Sequence, residues 1–144
     1  MTNIFSSTDI RGYVGESLTT EYVWNVGKAF AEWLPEKGDV VVMESATADK
    51  STVRALVEGI LLQGRSVVDA GIGDQTNIIS TVMDKKAAGG ALVEYEEVQN
   101  LAVITFFDAR GVTVMDSSGL SEINQLTDAA NFLPAPEKGK IKTA

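Results

Sequence analysis

The side chains best able to do chemistry in this chain are a group of acids, one arginine and a few serines. Glu94, Glu96 and Glu97 lie close together in sequence. A carboxylate can attack phosphorus, but three neighbouring acids repel an anionic substrate unless a metal intervenes. Arg11, in Asp9-Ile10-Arg11-Gly12, carries a planar fork that can hold a phosphate or carboxylate through two parallel hydrogen bonds. A structural salt bridge to Asp9 or to the acidic stretch is the competing reading. Ser45, Ser117 and Ser118 are hydroxyls in polar segments, and nothing in the sequence can activate them as histidine would. The chain has no histidine and no cysteine. This removes imidazole as base or ligand, and with it thiol nucleophiles, thiolate metal sites and disulfides.

A formal charge of −8 argues against general binding to nucleic acid or to an anionic membrane surface, both of which rely on Lys and Arg. No basic segment followed by an apolar run opens the chain, and no apolar run approaches a membrane span. The expectation is a cytoplasmic protein without nucleic-acid or membrane partners. Its 144 residues fit one domain with an ordinary share of apolar side chains, 44%.

The elements that must position these residues follow from periodicity. After Thr19, apolar residues at Tyr22, Val23, Val26, Phe30, Trp33 and Leu34 have helical spacing, and Pro35 ends the run. Val40 to Met43 reads as a buried strand, and Val53 to Leu61 as a second helix closed by Gly64. Ser66 to Asp69 is a further strand, and residues 75–86 a third helix. Ala91 to Val93 and Leu101 to Phe107 are two strands joined by a short polar connection, hence an antiparallel hairpin. Ser117 or Ser118 can cap a last helix bearing Leu120, Ile123 and Leu126. Alternation of strand and helix predicts a three-layer α/β/α sandwich around a small mixed, mostly parallel sheet. The domain is placed at residues 1–133. Residues 134–144, with Pro, Gly and Lys but few apolar side chains, are expected to form a loose tail.

The segment from Ile4 to Glu16, with Ile4-Phe5, Asp9-Ile10-Arg11-Gly12-Tyr13 and Val14-Gly15-Glu16, resembles the opening of α-D-phosphohexomutases, the phosphoglucomutases and phosphomannomutases. The resemblance continues in order through Val40-Val41-Val42, Ala55 to Ile60, Val67 to Gly71, Gly89-Gly90 and Phe106 to Gly111. It implies the first domain of that family, an α/β/α unit. Family members have four domains around one cleft. The first supplies a phosphorylated serine, the second a Mg²⁺ site, the third sugar selectivity and the fourth a phosphate-binding loop. No cofactor is expected for this chain, and Mg²⁺ only if partner domains bring the family's metal site.

Matched position by position, the family serine after Gly-Gly is replaced by Glu96, within Glu94-Tyr95-Glu96-Glu97-Val98-Gln99-Asn100. A glutamate there could imitate phosphoserine, although charge runs are usually solvated tips. Thr105 takes the place of the family lysine that aids proton transfer, and a threonine hydroxyl is unsuited to acid–base work. Met43 to Lys50 has no arginine where the family carries Gly-Arg-Asp-x-Arg. Arg11 is the one family residue facing the active site that survives, and so the candidate ligand-binding residue.

These departures predict a stand-alone domain without mutase activity, acting in binding, regulation or assembly. The alternative is the first-domain part of a split or truncated mutase in hexose-phosphate metabolism. A local likeness competes: Val112 to Leu120 resembles the phospho-switch segment of STAS domains, with Ser117 or Ser118 as acceptor. The partners expected are a second copy, through the face that sister domains cover in the family, or the missing mutase domains.

Overall fold

A computed structural model describes residues 4–144. In chain order the described elements are β1 (Ile10–Tyr13), α1 (Thr20–Trp33), β2 (Val40–Glu44), α2 (Lys50–Leu62), β3 (Val67–Ile72), α3 (Gln75–Lys85), β4 (Gly89–Glu96), β5 (Leu101–Asp108), α4 (Leu120–Ala129) and β6 (Ile141–Thr143). Helix starts are set by side chains that satisfy free amides. The Thr19 hydroxyl accepts from Tyr22 N–H (3.1 Å), and the Asp49 carboxylate from Thr52 N–H (3.0 Å). At α3, Asp74 and Asn77 cap each other reciprocally, each side chain accepting from the other's backbone N–H.

The strands form one sheet in the order β1-β5-β4-β2-β3-β6. The ladders β4–β2, β2–β3 and β3–β6 are parallel, while β4–β5 and β1–β5 are antiparallel. The crossover from β2 to β3 moves one way along the sheet, and that from β3 to β4 moves back past β2. A common right hand therefore places α2 and α3 on opposite faces. The packing agrees. Val26, Phe30, Leu56, Ile60, Leu120 and Ile123, from α1, α2 and α4, share one core. Ile78 and Val82 of α3 close a smaller core over Val41, Met43, Leu92 and Phe107. This is the three-layer α/β/α fold with a mixed, mostly parallel sheet.

Three details differ from the sequence expectations. The stretch around Arg11 is itself an edge strand, β1. The segment from Pro134 onward is not a loose tail, because β6 pairs with β3 in the register Val67–Ile141, Val68–Lys142 and Asp69–Thr143. Main-chain bonds hold it, and composition does not reveal those. Ser117 and Ser118 do not cap α4: they lie in a 3₁₀ turn, Asp116–Ser118, one turn earlier. Gly119, at φ 147°, takes the position before α4.

The helical layer rests on a backbone-to-backbone crossing of α1 and α2. A Cβ on Gly27 would lie 2.4 Å from Leu56 O, and one on Gly59 would lie 2.1 Å from Trp24 O. Neither neighbour is a side chain that could swing away. Gly27→Ala or Gly59→Ala is therefore expected to lower stability by about 2–3 kcal/mol, as overpacked core substitutions do. Thermal melts should show each variant well below the parent chain; a variant melting with the parent would remove the crossing as the determinant.

Candidate functional site

The C-terminal ends of the parallel strands are where ligands bind in open α/β sheets. Here they gather the loop after β2 (Ser45 to Asp49), the turn after β3 (Gly73 and Asp74) and the β4–β5 hairpin (Glu97 to Asn100). Short bonds tie them together. Ser45 N–H donates to Val93 O (2.9 Å) and Gly73 N–H to Glu44 O (3.0 Å). The Thr47 hydroxyl donates to Tyr95 O (3.2 Å). The Ser45 hydroxyl is buried without a hydrogen-bond partner. Lys50 is held in an ion pair with Glu44.

Glu96 is the last residue of β4, opposite Leu101. Its carboxylate accepts from Gln99 N–H (2.7 Å), which closes the hairpin on itself. Beside it, Tyr95 OH donates to Asn100 Oδ1 (2.6 Å), and Asn100 Nδ2 donates to Val14 O (3.1 Å). Glu96 is thus a turn-forming carboxylate. Thr105 faces Leu92 across the ladder and is buried, consistent with a strand residue. The stretch 43–50 is ordered around Glu44, Thr47 and Asp49 by the bonds above.

Register shows what the sheet brings together. Arg11 lies opposite Val103, which lies opposite Glu94, and Tyr13 and Glu96 flank Leu101 in the same way. Arg11, Glu94 and Glu96 therefore share the α3-side face, with a strand between arginine and acids. At the usual strand spacing their backbones are about 10 Å apart. The guanidinium bonds instead to Asp9, Nε donating to Oδ1 at 2.9 Å and Nη2 to Oδ2 at 2.7 Å. Of the partners weighed for Arg11, the neighbouring aspartate is the one it takes. Sequence reading did not find the rest of this knot. The Ser6 hydroxyl donates to Asp9 Oδ1 (2.8 Å), and Ser6 N–H donates to Asp9 O (2.8 Å). Ser6 three residues before Asp9 is the signal that could have disclosed it.

Ser118 Oγ accepts from Met115 N–H at 2.9 Å, while Ser117 is exposed. Among the described residues no group of three or more His, Cys, Asp or Glu could hold a metal ion. Glu94, Glu96 and Glu97 accordingly do not form such a group. No described helix is long and apolar enough to cross a membrane.

The described residues thus form a mixed-sheet α/β/α domain with Gly89-Gly90 opening β4. A sequence model described as phosphoglucomutase/phosphomannomutase, alpha/beta/alpha domain I, matches residues 2–132. The chain belongs to this family. The phosphomannomutase of Salmonella typhimurium is 26% identical over 139 residues, covering 94% of this chain and 30% of that protein. The phosphomannomutase of Escherichia coli strain K12 is 26% identical over 136 residues, covering 92% and 29%. A crystal structure of a phosphoglucomutase/phosphomannomutase family protein from Burkholderia thailandensis superposes with a TM-score of 0.74 at 20% identity, covering 97% of this chain and 32% of that one. The chain thus spans about 30% of the length of these curated relatives. Over the whole domain the match is to the mutases, and the STAS likeness is confined to residues 112–120.

The Asp9–Arg11 knot makes stability pH-dependent. Burial pushes the Asp9 carboxyl up, but hydrogen bonds from Arg11, Ser6 and Thr8 and the charge of Arg11 outweigh it, so Asp9 titrates below its ordinary value of 3.8. A depressed folded-state value gives stability that is complete above the ordinary value and is lost as pH falls through the folded one. Arg11→Ala leaves the buried carboxylate with neutral donors alone, and its titration moves upward. The Arg11 side chain is 49% exposed, so solvent screens the pair. The expected loss at neutral pH is about 1–2 kcal/mol. Acid titration followed by circular dichroism should show the variant unfolding at higher pH than the parent; coincident curves would contradict the assignment.

Proposed function

We propose that this chain is a phosphohexomutase first domain that keeps the family scaffold without its share of the chemistry, and acts in binding, regulation or assembly. The observation that carries this reading is Glu96. Where the family has its phosphoserine, this carboxylate is engaged by the Gln99 amide of its own hairpin. Thr105 in the lysine position and the arginine-free stretch 43–50 support it. A buried threonine cannot shuttle a proton at neutral pH. The direct test is the purified chain with Mg²⁺ and a hexose 1,6-bisphosphate, with phosphorus NMR following exchange between the 1- and 6-phosphates. No exchange above the buffer blank is expected, and measurable turnover would sink the reading.

A second reading is the first-domain part of a split or truncated mutase in hexose-phosphate metabolism, supported by the family match over residues 2–132. Mg²⁺ would then arrive with the other mutase domains. Co-purification of a chain bearing the metal-binding aspartates, with turnover in the mixture alone, would favour it. Self-association is the remaining partner reading, and sedimentation across a concentration series distinguishes it from a monomer. A cytoplasmic setting is part of this proposal, as is the absence of nucleic-acid and membrane partners.

A further inference from the structure

The segment after α4 passes the C-terminal end of α2, where Ala135 N–H donates to Leu62 O (3.4 Å), and ends as β6 at the far edge of the sheet. Its attachments are main-chain bonds and ion pairs. Gly139 N–H donates to Leu61 O (2.8 Å), Val67 N–H to Lys140 O (2.9 Å) and Ala144 N–H to Asp69 O (3.2 Å). Lys140 N–H donates to Ser66 Oγ (3.0 Å). Lys138 pairs with Glu58 at 2.7 Å and Lys142 with Asp39 at 3.0 Å. Yet no residue from Pro134 to Ala144 is fully buried, and Ile141 is 61% exposed.

Local opening costs least where backbone bonds are solvent-exposed and little apolar surface is covered. We propose that residues 134–144 are a strap that opens and closes as one unit on the folded body, baring the edge of β3 and one wall of an adjoining cleft. That cleft, about 990 Å³, runs along α2 and is walled by Trp24, Val57, Val67 and Asp69, with Ile141 from the strap itself. Closing is held by a basic segment on an acidic body: Lys138, Lys140 and Lys142 belong to a chain of net charge −8. The lysines also discourage a foreign strand from adding to β6 while the strap is shut. Seating depends on Gly139, where a Cβ would lie 1.9 Å from Arg65 O. One methyl group there is enough to unseat the strap without touching the core.

Hydrogen exchange on the full chain tests this. The Gly139, Ala144 and Val67 amides should exchange at least about a hundredfold faster than those of β4, because they open without global unfolding. Gly139→Ala should leave the strap nearly unprotected and let trypsin cut after Lys138 and Lys140, with residues 4–129 still protected. The double variant Lys138→Ala/Lys142→Ala alters no backbone contact. It should speed strap exchange by roughly threefold and leave β4 unchanged, as expected for exposed ion pairs. Strap amides exchanging in step with β4 in the parent chain would overturn the proposal. So would a Gly139→Ala strap as protected as the parent's, or a double variant in which both regions or neither respond.

Discussion

The crossing of Gly27 over Gly59 is the constraint on which the rest of the molecule depends. With two backbones in contact, α1 and α2 act as one slab, and their apolar faces reach the sheet at fixed height. Phe30 then stacks on Phe106 of the central hairpin, ring centres 3.9 Å apart and planes within 13°. The slab also sets where α4 can sit. Trp33 closes so tightly on Gly119 that a Cβ there would lie 2.0 Å from the indole, and Trp33 Nε1 donates to Glu122 (3.2 Å). At the other end, Arg65 spreads its guanidinium over the carbonyls of Ala31, Leu34, Glu36 and Gly38 at 2.6–3.0 Å. It collects the carbonyls that the end of α1 leaves free and adds a cation at the negative end of the helix dipole.

Placing three helices on one face leaves the other to α3 alone, and that asymmetry decides what the site can be. The smaller core draws on β2, β3, β4 and β5 but does not include Arg11, Glu94 or Glu96. Arg11, Glu94 and Glu96 therefore stand on an uncovered part of the sheet rather than in a closed cavity. Groups there work in water, where Coulomb attraction is weak and an unactivated carboxylate is a poor nucleophile. The same register that puts them on one face keeps a strand between arginine and acids. Each finds its partner locally, Arg11 in Asp9 and Glu96 in Gln99.

What could be read from the sequence was what one-sided burial writes into it. The spacing of Val23, Val26 and Phe30 marked α1, the run from Val40 to Met43 marked β2, and a short polar link marked the β4–β5 hairpin. Gly89-Gly90 was legible only as a motif. In the fold a Cβ at Gly89 would lie 2.8 Å from a Leu34 methyl, and one at Gly90 2.7 Å from a Val82 methyl, so this strand is squeezed by both helical layers. β1 escaped because it buries Ile10 and Gly12 and exposes Arg11 and Tyr13, so its alternating burial is not written as an apolar/polar alternation of residue types. β6 escaped because main-chain bonds and lysine pairs hold it, and neither leaves an apolar pattern. The serines before α4 misled because Ser118 caps the shorter 3₁₀ turn instead.

The ion pairs near the strand ends share one electrostatic consequence. A phosphoserine loop must hold a dianion, which calls for free cations at the strand ends. Among the described residues, Lys50 is bound by Glu44 and Arg11 by Asp9. An incoming phosphate would have to compete with both carboxylates while facing Glu94 and Glu96. The two cations are not equivalent, however. Arg11 has five N–H donors and gives two to Asp9, and about half its side chain remains in solvent. It can accept a second anion without releasing the first, whereas the point charge of Lys50 pairs less selectively. At this edge Asp9 is the group that holds the Arg11 guanidinium in place.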